Sequence, residues 1–351
     1  MMNLLRRYRI AIILVIVFLV VAAGVLLYVF YAPNDFGDEK EKVFVVWKGQ
    51  SFASVVDSLE ARQIIRDRAL FVFVARIYGG TNKIRVGRYV FASGISNSHL
   101  FLSLREGWGN ETITVVIPEG LLSRAQARIF ARQLGTDSAR FVALVHDPDF
   151  AARLGINAPS VEGYLLPDSY RFFWQADEKE IIMKMVEEFH QFYNDSLHEQ
   201  AQSLGWSTGQ VVTLASIVEG EAVLDEERAR ISGVYHNRLK RGMRLEADPT
   251  IQFFITDGPR RLLYSDLKLD HPYNTYRNAG LPPGPVNNPG RGSIRAALFP
   301  EENQYLFFVA NGKGGHWFSA TYAEHLRRVR QYRRDRRSRR SQFLTQVEPP
   351  K

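Results

Sequence analysis

The run from Ile10 to Phe30 contains no charged residue and no proline, and it constrains the chain more than any other segment. Inside a bilayer every backbone N–H and C=O must be satisfied within the protein, so an apolar run long enough to span can cross only as a helix. The apolar core of a cleaved signal peptide is usually only about 7–15 residues, and no convincing small-residue cleavage site lies beyond this run. Arg6, Arg7 and Arg9 precede it, while Asp35, Asp38, Glu39 and Glu41 dominate its C-terminal flank. Positive residues stay on the cytoplasmic side. The expectation is a single-pass protein of the cell membrane, with a cytoplasmic stub at 1–9, a transmembrane helix at 10–30, a linker at 31–42 and the rest outside the cytoplasm.

The formal net charge of +8 would suggest nucleic acid until it is located. Nine arginines and one aspartate between residues 327 and 340 carry +8, the first nine residues carry +3, and the last eleven balance. The body, residues 10–326, is therefore −3. Apart from the N-terminal stub, the basicity is confined to a tail at 333–351 and the turn before it, so no nucleic-acid partner is expected. The tail reads as a solvated helix end, or as a contact for anionic envelope polymer or lipid headgroups. No cysteine is present, which excludes disulfides, thiolate metal sites and a cysteine nucleophile. The eight histidines lack HExxH or paired zinc spacing, so neither a metal nor a cofactor is expected.

Beyond the linker the pattern is mixed α+β. Val43–Val46 reads as a strand, residues 51–61 and 67–78 as helices, Ile84–Phe91 as a strand and Ser96–Arg105 as a helix. This order, with the Lys48-Gly-Gln-Ser-Phe52 opening, resembles the LysM fold, a carbohydrate-binding module, and defines a small βααβ subdomain at 43–108. A larger mixed helix and strand domain occupies 109–332. Its expected elements are a strand at Thr112–Ile117, helices at 123–134, 137–145, 177–204, 207–222 and 225–240, and a hairpin of 305–310 with 316–320. Between Asp257 and Gly292, glycine, proline, asparagine and tyrosine crowd together, as in Leu281-Pro-Pro-Gly-Pro-Val-Asn-Asn-Pro-Gly290. A structureless stretch this long inside a domain is usually functional or disordered. Its tyrosines and fixed prolines suit a stiff loop at a sugar groove, or a wrapping loop without a ligand.

Thr213-Leu-Ala-Ser-Ile-Val-Glu-Gly-Glu-Ala222 sets a carboxylate into an otherwise apolar run. A helix that is apolar all round is normally buried. At about 100° per residue Glu219 falls between Val212 and Ala215, while Glu221 falls between Leu214 and Ile217 on the far side. Ser207 and Gln210 make a capping box that sets the start of the helix. Burial without a cationic partner would raise the pKa of Glu219 and let it donate a proton to a leaving group. The structural alternative pairs it with Arg228 or Arg230 of the next helix. Thr321 and Glu324 form a second capping box, which gives Glu324 a structural role.

Several motifs, in order, carry a family resemblance. They are Glu162-Gly-Tyr-Leu-Leu-Pro-Asp-Ser-Tyr170, Leu214-Ala-Ser-Ile-Val-Glu219, Asn237-Arg-Leu-Lys-Arg-Gly-Met243, Asp248-Pro-Thr250, Tyr273-Asn-Thr-Tyr276, Gly280-Leu-Pro-Pro-Gly-Pro285, Asn288-Pro-Gly290, His316-Trp-Phe-Ser319 and Glu324-His325. From about Val43 to Tyr332 the chain resembles the YceG-like (MltG) endolytic murein transglycosylases. It departs from that pattern at Gly220, where lysine is common, at Glu246-Ala247, where Gln-Ser or Gln-Thr is usual, and at Leu326, where asparagine is usual. The resemblance implies a LysM-like part, a catalytic part, and cleavage of peptidoglycan strands within the chain by a glutamate that maps onto Glu219.

The expected activity is a lytic transglycosylase, a carbon–oxygen lyase. It would cut the β-1,4 bond between N-acetylmuramic acid and N-acetylglucosamine, leave 1,6-anhydro ends, and terminate nascent strands beside membrane-bound synthases. Candidate substrate contacts are Glu162, Ser216, Asp248, Tyr273, Asn274, Asn288, His316 and Ser319, although an asparagine is also an ordinary turn residue. The alternatives are a lysozyme-like hydrolase, with a second carboxylate such as Asp248 holding a water, and a non-catalytic peptidoglycan-binding or division scaffold.

Overall fold

The computed structural model describes residues 2–80, 84–255 and 260–347. The start of the expected loop, at 257–259, and the end of the basic tail, at 348–351, lie outside the described residues. The chain is mixed α+β and mostly helical, with four two-stranded sheets among the described residues. It divides into two compact units.

The first unit runs to Thr114 and takes in residues 133–135 and 171–176. It opens with α1 (Met2–Tyr31), whose residues from Ile12 to Tyr31 are apolar and long enough to cross a membrane. Phe18 is 70% exposed and Val20 65%, an arrangement that water penalises and lipid does not. The expected linker is ordered where it leaves α1. β1 (Pro33–Asn34) pairs antiparallel with β4 (Ile95–Ser96). Asn34 is buried, donating to the Ile95 carbonyl and accepting from Arg66 N–H. Asn97 Nδ2 and Ser98 Oγ donate to the carbonyls of Val29 and Phe30, which satisfies part of the otherwise bare end of α1.

β2 (Glu41–Val46), α2 (Phe52–Ala61), α3 (Arg68–Ile77) and β3 (Gly87–Ala92) come in the strand–helix–helix–strand order read from the sequence. β2 and β3 pair antiparallel from Glu41↔Ala92 to Val46↔Gly87. The period of two turns Tyr89 and Phe91 inward, against Val55, Leu59, Phe71 and Phe101. Phe101 comes from α4 (Asn97–Glu106). Ser51, Asp67 and Ser96 cap the three helices by accepting from backbone N–H groups three residues on.

The second unit holds the remaining residues. β5 (Thr112–Val116) leads out of the first unit and pairs with β6 (Ser169–Phe173). Between them lie α5 (Ser123–Leu134), α6 (Ser138–Val145) and α7 (Pro148–Arg153). The single helix expected at 177–204 is two, α8 (Glu178–Phe192) and α9 (Asp195–Ser203). Asn194 breaks it, because its side chain caps the new helix through Leu197 N–H. α10 (Thr208–Glu221) is buried throughout Val211–Val218 and starts with the expected capping box. α11 (Arg228–Lys240) comes after a short 3₁₀ turn. Besides α7, two further helices were not legible in the sequence, α12 (Asp248–Phe254) and α13 (Arg291–Leu298). Both pack against α10 together with α11. The hairpin is present as β7 (Phe307–Ala310) and β8 (His316–Ser319), paired Phe307↔Ser319 to Ala310↔His316. α14 (Tyr322–Val347) carries the arginines.

Candidate active site

α10 delivers two glutamates to two different environments. Glu219 has a cationic partner. Its Oε2 accepts from Arg228 Nη1 at 2.9 Å and from Gly290 N–H at 3.0 Å. Arg228 also binds Glu119 at 3.2 Å and Asp225 at 3.0 Å, and donates to Ser293. Burial and the neighbouring Glu219 charge raise the pKa of Glu119, against the pull of Arg228. This cluster ties the Pro118-Glu-Gly turn, α10, α11 and the start of α13 together. The premise of an unpartnered buried acid at 219 therefore fails: the arginine that sequence reasoning named as the structural alternative is the partner present.

Glu221, two residues on, points the other way, as the helical geometry required. It retains an opening to solvent at a cavity of about 450 Å³, yet protein atoms crowd its carboxyl. Burial, reinforced by the negative Asp248, pushes its pKa up to about 7. Hydrogen bonds from Tyr235 Oη, 3.2 Å from Oε1, and from the Asp248 backbone pull weakly the other way. A desolvated carboxyl that titrates near neutrality can both give and take a proton.

The rest of the cavity comes from four stretches of chain. Asp248 opens α12, and its Oδ1 accepts from Tyr276 Oη at 2.6 Å. Burial and that carboxylate raise the pKa of Tyr276, so it stays a donor. Arg238 of α11 is buried and donates to the carbonyls of Arg244, Leu245 and Leu306 and to Glu246. It thereby fixes the turn that leads into Asp248. From β8, His316 is held by Glu227, with Nδ1 2.7 Å from Oε2 and its backbone N–H 2.8 Å from Oε1. His325 of α14 completes the wall; burial and Arg238 lower its pKa, which keeps it neutral.

Of the residues expected from the sequence, the fold brings Asp248 and His316 to this cavity and sends the others elsewhere. Glu162 and Asn288 form a closed internal network. Glu162 accepts from Ser123 N–H and Oγ and from Asn288 Nδ2, and burial raises its pKa. Asn288 Oδ1 accepts from Gly163 and Leu165 N–H. With Asn288 0% exposed, its amide is used up in holding the 162–165 turn against the long loop. Ser216 is equally enclosed, donating to the Thr213 carbonyl and accepting from Val286 N–H. Asn274 is also internal, bonding the carbonyls of Leu267 and Leu269 and Tyr276 N–H. Each of these four makes its hydrogen bonds within the protein, and Glu162 also borders the second cavity that Tyr273 lines. Tyr273 stacks on Phe253 at 4.5 Å in a second cavity of about 520 Å³. Ser319 is buried beside the arginines of α14.

The model of the YceG-like family matches residues 44–331. The chain belongs to the YceG-like family. Among curated relatives, it is 29% identical over 291 residues to the endolytic murein transglycosylase of Bacillus subtilis strain 168, covering 79% of this chain and 81% of that one. It is 25% identical over 331 residues to the endolytic murein transglycosylase of Streptococcus pneumoniae D39, spanning 85% of this chain but only 59% of that longer protein. The 2.6 Å crystal structure of a YceG-like protein from Listeria monocytogenes superimposes with a TM-score of 0.58 at 29% identity. That alignment covers 82% of this chain and 98% of the Listeria chain. Within this YceG-like chain, sequence reasoning missed Glu221, Glu227, Tyr235 and Arg238 as members of the site. Glu221 was visible, but its position in the last helical turn beside the Asp248 segment was not.

Proposed function

We propose that this chain is an endolytic murein transglycosylase whose acid is Glu221 rather than Glu219. The observation that carries the reading is a carboxyl poised near neutrality, facing a polar cavity, in a protein whose relatives bear that name. Protonated Glu221 gives its proton to the glycosidic oxygen between N-acetylmuramic acid and N-acetylglucosamine. An oxocarbenium-like centre develops at C1 as the bond breaks. The Glu221 carboxylate then removes the proton from the muramic 6-hydroxyl as that oxygen closes the 1,6-anhydro ring. No water is consumed, and the tethered nucleophile has a proximity advantage. Tyr235 and the Asp248 amide orient Glu221, and His316, oriented by Glu227, faces the sugar.

The apolar stretch of α1 anchors the chain in the cell membrane, N-terminus inside, and the two units work outside the cytoplasm on strands near their synthesis. The small unit, LysM-like in its element order, would help hold the glycan.

One observation favours a second reading. Asp248 lies close enough to perturb Glu221, and a second carboxylate is what a hydrolase uses to hold water. Mass analysis of released muropeptides separates the two. Anhydro-muramic ends support the transglycosylase, and products heavier by one water replace it with the hydrolase.

A further inference from the structure

Among the described residues, a dense run of arginines on α14 faces an open cleft of about 860 Å³, lined by α14, β8 and Tyr305. Arg327, Arg330, Arg334 and Arg337 succeed one another at steps of three, four and three, which puts them on one helix face. Like charges at this spacing repel and weaken a helix. Among the described residues none of these four is in an ion pair. Among the described lining residues Glu324 is the one carboxylate, and its Oε2 accepts from Ala320 N–H. A second observation points to a ligand. Ser319 lies in the same lining, is 3% exposed, and its Oγ has no hydrogen-bond partner. A buried hydroxyl left unpaired costs free energy unless something arrives to meet it.

The cleft is next to the acid's cavity. β8 contributes His316 to one and Ser319 to the other, and α14 contributes Tyr322 and His325 to one and Arg327 to the other. Three strand steps carry β8 about 10 Å from His316 to Ser319, whose side chains face opposite sides of the strand. A glycan strand in the Glu221 cavity would carry its peptide stems on the lactyl arms of muramic acid, at about that reach. Those stems bear free carboxylates, the planar anions that a guanidinium fork binds in bidentate fashion.

We propose that this arginine-lined cleft binds the carboxylates of the peptide stems, so that the enzyme selects glycan still bearing them. The inference rests on the glycan-cleaving reading above. A concave cleft with Tyr305 and Phe318 on its walls suits a peptide better than a flat lipid surface.

The test uses the full chain in detergent micelles, in a Glu221→Gln background so that strands persist. Binding is measured for soluble glycan strands with intact stems and for the same strands stripped of stems by an amidase. Intact strands should bind roughly 3–30-fold more tightly at low salt, the range expected of a few partly screened ion pairs. The triple variant Arg327→Gln/Arg330→Gln/Arg334→Gln should lose that margin and bind stripped strands as before. Equal affinity for the two strands, or equal weakening of both in the triple variant, overturns the proposal. Arg330→Gln alone, checked for unchanged melting, should show part of the effect and guards against misfolding. Vesicles containing phosphatidylglycerol form a control arm: loss of vesicle binding with the stem margin intact would assign the arginines to the membrane instead. If the Glu221→Gln background still cleaves, the acid assignment fails, and the arginine comparison is read on binding at short times.

Discussion

Replacing each glutamate of α10 by glutamine separates the two roles, and pH makes the separation quantitative. The Glu221 carboxyl is raised from 4.5 to about 7, so ionising it in the folded protein costs up to about 3 kcal/mol, at about 1.4 kcal/mol per pKa unit. A carboxyl whose folded pKa is raised contributes its full stability below the unfolded value. That contribution is lost as pH rises from about 4.5 through about 7. Glutamine keeps the oxygen that accepts from Tyr235 and never ionises. Glu221→Gln should therefore melt close to the parent protein at pH 4 and a few degrees above it at pH 8. Cleavage should fall by about 10²–10⁴-fold or more, because one group serves as acid and then as base. The activity of the unsubstituted enzyme should decline above pH 7 as the acid form is depleted.

Glu219→Gln should do the reverse. It removes the 2.9 Å ion pair from Arg228, whose side chain is 12% exposed. Asp225 and Glu119 remain as partners, so the loss should be about 1–3 kcal/mol rather than the full cost of stranding a buried charge. At temperatures where it is folded, this variant should cleave within a few-fold of the parent. The assays are muropeptide release and thermal unfolding from pH 4 to 8 for both variants. A folded Glu221→Gln protein with parental activity would refute the reasoning, as would an inactive Glu219→Gln protein with unchanged melting.

Tyr276→Phe removes the donor 2.6 Å from Asp248 and should cost about 10-fold in cleavage with a small change in melting, in line with one lost charged hydrogen bond; an unchanged rate would remove Asp248 from the site. Gly163→Ala should destabilise by about 3 kcal/mol or more. Its φ is +91° and an added Cβ would lie 2.4 Å from Pro285 and 2.9 Å from Val212, so strain and overlap combine, and a parental melting temperature would contradict this. Muropeptides released by the protein should carry 1,6-anhydro ends, as read by mass.

The sequence by itself determined what periodicity and local chemistry can determine. The Ile10–Phe30 run has one conformation open to it in lipid. The Ser207–Gln210 capping box fixed where α10 begins, and its all-round apolar surface required burial. The opposite facing of Glu219 and Glu221 came from helical geometry alone. Tertiary structure decided which of the two could act as an acid. A pKa depends on what lies within a few ångströms of a carboxyl, and those neighbours come from distant segments. Arg228 and Gly290 converge on Glu219, while Asp248 and Tyr235 enclose Glu221. The same reason explains Asn274 and Asn288. Both are amides in a polar loop and look free to meet a sugar. Folding instead spends Asn274 on backbone groups of the irregular loop between α12 and α13, and Asn288 on those of the 163–165 turn, neither of which has a ladder of its own.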